Sequence, residues 1–107
     1  MEFEYDPEKS ELNLKKHGVS LEEAKALWLV PGVVIQARSI DEPRFLRIAE
    51  LEGKHYSCFF TVREMRIRLI SARRSRPEEI AIYEGEMKRN EEKEKGFYES
   101  GGSRPSV

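Results

Sequence analysis

The pair Pro31-Gly32 separates two stretches with different hydrophobic periods, and that change limits the fold more than any other feature. Before it, Leu21, Ala24, Leu27 and Trp28 recur at helical spacing. After it, Val33-Val34-Ile35 is β-branched and begins a region of strand-like runs. A chain of 107 residues is the size of one domain. Helical and strand periods in one such chain predict an α+β fold.

The local signals order the elements. Asp6 caps a first helix, and Pro7 suits its first turn, where no donor is needed. Leu12 is the clearest apolar anchor of that helix, and Gly18 is a left-handed terminator. Ser20-Leu21-Glu22-Glu23 reads as a capping box that starts the second helix. Four strands follow, from Val33, over Phe45–Leu51, over Lys54–Val62 and over Arg66–Ala72, with Glu52-Gly53 as a hairpin turn. Pro77 begins a last helix striped by Ile80, Tyr83 and Met87. The expectation is ααββββα: two N-terminal helices, a four-stranded antiparallel sheet and a C-terminal helix. The helices would lie on one face of the sheet and leave the other open. Residues 1–88 form the single predicted domain, and residues 89–107 a charged tail that frays or is disordered.

Composition narrows the function classes. Nineteen Lys and Arg against twenty Asp and Glu give a formal net charge of -1, which lacks the overall basic signature of a nucleic-acid binder. The distribution says otherwise. Residues 1–31 carry seven carboxylates and four lysines. Residues 63–76 carry six arginines (Arg63, Arg66, Arg68, Arg73, Arg74 and Arg76) and one glutamate. Arginine presents a fixed fork to phosphate and stays charged at any working pH. Strand alternation puts Ile67 and Leu69 on one face and Arg66 and Arg68 on the other. Such a face suits a phosphodiester; it equally suits a solvated surface whose arginines pair with the many glutamates.

Other chemistry is sparse. A lone cysteine, Cys58, lies in an apolar run and reads as core, and it excludes an internal disulfide. His17 and His55 are too few for a structural zinc site. His17 can serve as a general acid or base, or simply as a helix C-terminal residue favoured by the dipole. No phosphate-binding GxxxxGK[ST] loop occurs, so no nucleotide or other cofactor is expected. No apolar run is long enough for a membrane span and the N-terminus lacks a signal-peptide core, so a cytoplasmic protein is expected.

Two blocks resemble a known family. Phe3-x-Tyr5-Asp6-Pro7-x-Lys9 with Asn13-x-x-Lys16-His17-Gly18-Val19-Ser20-x-Glu22-x-Ala24 looks like the opening motif of the BrnT toxins. Phe60-Thr61-Val62-Arg63-x-x-x-Ile67-Arg68-Leu69-Ile70-Ser71-Ala72-Arg73-Arg74, followed by Glu78 and Tyr83, resembles the second block. Tyr5 stands where the family often has Trp, which keeps the aromatic character. The resemblance implies a type II toxin, a small RNA endonuclease of RelE-like fold. It also implies neutralisation by a BrnA-like ribbon-helix-helix antitoxin, with operator DNA contacted only through the toxin–antitoxin complex.

On that basis Arg63, Arg68 and His17 are the expected catalytic residues of a metal-independent cleavage. Lys9, Lys16, Arg66, Arg73 and Arg74 are the expected substrate-binding residues. The rival expectation is a module that holds RNA or an acidic partner on the same arginine face without cleaving it. Direct DNA binding is disfavoured because the basic cluster lies on a strand and the helices are acidic or mixed.

Overall fold

The computed structural model describes residues 2–103, with side chains described for residues 2–93. Strands β1 (Glu2–Glu4), β2 (Gly32–Ala37), β3 (Arg44–Leu51), β4 (Lys54–Arg63) and β5 (Arg66–Arg74) form one sheet in the order β1-β5-β4-β3-β2. The fold is mixed α+β, but the sheet has five strands where the sequence predicts four. The extra strand, β1, pairs parallel with β5, Glu2 opposite Arg66 and Glu4 opposite Arg68. Three residues are too few to show a period of two, which is why no strand is legible there. Strands β2 to β5 pair antiparallel in chain order, as expected of the four-stranded antiparallel sheet.

Helix α1 covers Pro7–His17 and α2 Leu21–Ala24; the latter continues as a 3-10 turn over Lys25–Trp28. The predicted caps form. Asp6 accepts from the Glu8 N–H, Gly18 closes α1 at φ 76°, and Ser20 and Glu23 make the reciprocal capping box. Leu21, Ala24 and Leu27 pack with Ala49, Cys58, Phe60, Ile67, Leu69 and Ala72 into the core on one sheet face. Trp28 packs edge-on between Phe3 and Phe60. Cys58 is fully buried within this core, and burial pushes its thiol up to about 12.

Helix α3 (Pro77–Ser103) corrects the expectation of one open face. It packs against β2 and β3 on the opposite side of the sheet, where Val33, Leu46 and Ile48 are buried. Its half-buried stripe contains Ile80, Tyr83 and Met87, and Tyr83 meets His55 edge-on at 5.2 Å. The helix also runs past Lys88, where the apolar stripe ends. Strong helix formers and the Glu86–Arg89 pair support this stretch, whose residues 88–93 are exposed. Residues 104–107 of the expected tail lie outside the described residues.

Leu12 is not an anchor: it is 62% exposed, and the buried residues of α1 are Ser10 and Asn13. The reason is where α1 docks. It lies against β5 where β1 no longer pairs, so it meets free backbone groups rather than an apolar face. Asn13 Nδ2 donates to the Ala72 carbonyl at 2.7 Å, and Asn13 Oδ1 accepts from the Ala72 N–H at 3.2 Å. Its amide thereby continues the sheet edge for one residue. Ser10 Oγ accepts from the Leu21 and Glu22 N–H groups and ties α1 to α2.

Candidate functional site

One irregularity decides which arginines share a face. In the β4–β5 ladder Phe59 lies opposite Ser71 and Phe60 opposite Leu69, so Ile70 is an extra, bulged residue. Simple alternation from Arg66 and Arg68 would put Arg74 with them and Arg73 on the core side. The bulge reverses this. Arg73 joins the face of Arg66 and Arg68, opposite Ser57, whereas Arg74 turns to the other face and stacks on Tyr56 at 5.6 Å. A bulge has no simple sequence signature, so this exchange was not legible.

The part of this face left uncovered by α3 holds Arg63 at the end of β4 and Arg66 and Arg68 on β5. Each arginine meets a carboxylate. Arg63 Nε and Nη2 donate to Glu42 at 3.0 and 2.9 Å. Arg68 Nη1 donates to Glu4 at 2.9 Å, and Arg66 Nε lies 3.6 Å from Glu2. The Arg63 and Arg66 side chains are 51% exposed and that of Arg68 is 32% exposed. These pairs stand in water, where ion pairs hold weakly. The hydrogen bonds from Arg63 outweigh partial desolvation and, with the charges of Arg63, Arg44 and Arg68, hold the Glu42 carboxyl below its ordinary range.

Arg73 differs. Its Nη1 and Nη2 donate to Glu79, both at 2.9 Å, and the two side chains are only 16% and 10% exposed. Glu79 also accepts from the Ser57 hydroxyl and the Arg76 N–H. Burial works to raise the Glu79 carboxyl, but these donors override it and bring it down to about 2. Arg73 is committed to fastening the start of α3 to the sheet.

The other sequence-predicted residues gather elsewhere. Lys9, Lys16 and His17 of α1 line a shallow cleft of about 280 Å³ with Leu12, Asn13, Ile70 and Ser71. Ser71 is three residues along β5 from Arg68, so the cleft lies roughly 10 Å beyond the exposed arginines at 3.3 Å per residue. His17 is half-buried at the C-terminus of α1 and makes no described contact with Arg63 or Arg68. His55 packs against Tyr83 instead. Among the described residues no group of three or more His, Cys, Asp or Glu side chains is placed to hold a metal ion. No helix among them is long and apolar enough to cross a membrane.

Glu42, Glu4 and Glu79 were given no site role by sequence, and Asn13 was named only as a motif residue. The signal for Asn13 was present, since Ser10, Asn13 and His17 follow helical spacing and mark a polar inner face. The glutamates gave none, because nothing separates a paired glutamate from a solvated one in a chain this rich in charged residues of both signs.

A small mixed α+β domain with an arginine-lined sheet face is a scaffold suited to phosphate chemistry. Residues 5–79, more than two thirds of the chain, match the family described as the ribonuclease toxin BrnT of type II toxin–antitoxin systems, and the chain belongs to that family. No curated protein matches it.

Proposed function

We propose that the chain is an endoribonuclease that cleaves RNA by attack of a 2′-hydroxyl on the adjacent phosphate, without a metal ion. The observation that carries this is the placement of Arg63, Arg66 and Arg68, all reached by solvent and paired with carboxylates that solvent also reaches, on the open part of the sheet face of a BrnT-family chain. Negative charge grows on the phosphate oxygens as the 2′-oxygen attacks. Arg63 and Arg68 stabilise that charge more than the ground state, and the fixed sheet keeps them oriented for it. Arg66 adds positive potential beside them. Lys9, Lys16 and His17 guide the neighbouring backbone along the α1 cleft; roughly 10 Å from the arginines, His17 is too far from the held phosphate to exchange a proton there. Arg73 is left out of the chemistry by its buried pairing, and Arg74 by its turn to the other face.

Type II membership implies an antitoxin partner. We take it to be a BrnA-like ribbon-helix-helix protein that also supplies the contact with operator DNA, the pair acting in the cytoplasm. Relief of growth arrest on co-expression with the neighbouring reading frame tests that partner.

The activity is tested by incubating the purified chain with single-stranded RNA in EDTA. Specific cleavage is expected. Arg63→Ala with Arg68→Ala should lower it by at least about 100-fold, the loss seen when one stabilising donor is removed from an oxyanion site. The folded double variant cleaving at the wild-type rate would overturn the assignment. Intact RNA retained by the wild-type chain would favour a binding module on the same face.

A further inference from the structure

Glu42 is the carboxylate at the centre of the open arginine face. It receives the full fork of Arg63 from β4, and it stands within the field of Arg44 on β3 and Arg68 on β5. Arg63 in turn feels Glu4 of β1. The backbone that carries Glu42 is fastened on both sides. Ser39 Oγ donates to the Glu42 carbonyl, and Thr61 Oγ1 donates to the Pro43 carbonyl at 2.6 Å. Thr61 is only 1% exposed, so a hydroxyl within the sheet is committed to holding one loop peptide. An incidental surface ion pair needs no such anchoring.

We propose that Glu42 is the general base of the ribonuclease reaction, the group that takes the proton of the attacking 2′-hydroxyl. This rests on the ribonuclease reading above. A guanidinium fork accepts a carboxylate or a phosphate in the same geometry. A phosphodiester arriving at Arg63 and Arg68 therefore displaces the carboxylate of Glu42 from the fork, while the anchored loop keeps it beside the sugar. Glu42 takes the 2′-hydroxyl proton as the 2′-oxygen bonds to phosphorus. The bond from phosphorus to the 5′-oxygen breaks, and that oxygen takes a proton from water. The products are a 2′,3′-cyclic phosphate and a 5′-hydroxyl, with no change of oxidation state. Before substrate arrives, Arg63 keeps Glu42 ionised; losing the fork to phosphate makes it more basic when a base is needed. Glu4 is placed differently, since it meets Arg68 through one nitrogen and rides on the edge strand.

The experiment compares wild type, Glu42→Gln, Glu42→Asp and Glu4→Gln in EDTA. Single-turnover cleavage of a mixed-sequence single-stranded RNA is measured, together with binding of the same RNA carrying 2′-O-methyl groups. Glu42→Gln should lower the rate about 100- to 10,000-fold, the usual contribution of general base catalysis. It should bind the methylated RNA at least as tightly as wild type, because a competing anion is gone. Glu42→Asp should fall between them and keep the acid limb of the wild-type pH profile, which the residual activity of Glu42→Gln should lack. Glu4→Gln should change the rate by less than about tenfold. Cleavage by folded Glu42→Gln within about tenfold of wild type overturns the proposal, as does an unchanged acid limb. Equal losses at Glu42 and Glu4 also overturn it, because freed arginines rather than a missing base would then explain both. If Glu42→Gln does not fold, Glu42→Asp decides: a wild-type rate over the whole pH range overturns the proposal. Absence of cleavage by wild type overturns the ribonuclease reading itself, and this proposal with it.

Discussion

Two arginine–glutamate forks lie on one face of this sheet. Arg63–Glu42 and Arg73–Glu79 each use two guanidinium nitrogens and two carboxylate oxygens, at distances of 2.9–3.0 Å. Their surroundings separate them. Helix α3 covers the second, whose side chains are 16% and 10% exposed; the first is 51% and 33% exposed. The same pair of residue types is thus a structural clasp at one end of the face and an exchangeable contact at the other. Water makes the difference. A buried partner leaves its charge stranded when removed, whereas an exposed one is re-solvated.

The largest expected effect tests that contrast directly. Glu79→Gln should lower unfolding stability by about 3 kcal/mol, since it leaves Arg73 charged, enclosed and short of an anion. Glu42→Gln should leave the urea midpoint within error. Equal shifts would break the comparison. The pH dependence follows with the same sign. The Glu79 carboxyl lies at about 2, below its ordinary value of 4.5. Its contribution is therefore fully present above about pH 4.5 and lost as pH falls toward 2. Allowing for solvent screening at the outer edge of the fork, that loss is roughly 2 kcal/mol. Thermal melts between pH 5 and 2 should show wild type falling toward the Glu79→Gln variant. Parallel curves would place the clasp elsewhere.

Next in size is the sheet edge, a third way in which polar side chains are used here. Asn13→Leu keeps the branched shape and heavy-atom count at a buried position but removes the amide that pairs with both backbone groups of Ala72. Leaving that N–H and carbonyl without partners should cost about 2 kcal/mol. Native-state hydrogen exchange at the Ala72 amide should accelerate well beyond that at its core neighbours. An unchanged rate would mean that water replaces the side chain and that the edge is open.

These residues also mark how much of the fold is written locally in the sequence. Caps and hairpins were legible because they depend on neighbours in sequence: Asp6, Gly18, the Ser20–Glu23 box and the Glu52-Gly53 turn all act within a few residues. The alternation of Ile67 and Leu69 with Arg66 and Arg68 was legible for the same reason. What failed depends on partners far away. Leu12 looked like an anchor until α1 proved to meet a strand edge that needs hydrogen bonds. Arg73 looked like Arg66 until the Ile70 bulge and Glu79 fixed it. The candidate site was half legible, its arginines by clustering, its glutamates only by geometry.

The smallest effect concerns the open end alone. The β4–β5 turn places Glu64 at φ 48° and Met65 at φ 64°, both left-handed, with no glycine. The turn at the other end of β4 uses Glu52-Gly53, with glycine at φ 79°. A left-handed non-glycine residue costs roughly 1–2 kcal/mol, and glycine returns part of that gain through its larger unfolded-state entropy. Met65→Gly should therefore stabilise the domain by about 0.5–1 kcal/mol, which thermal unfolding can resolve. Met65 is 87% exposed, so little packing is lost. The informative readout is cleavage by the stabilised variant. The turn joins Arg63 directly to Arg66, and a softer turn lets the two guanidiniums drift relative to each other. A several-fold lower rate at higher stability would mean that the strain holds the exposed arginines in register. An unchanged rate would mean that the β4–β5 ladder alone fixes them, leaving exposure as the only difference between the two ends of the face.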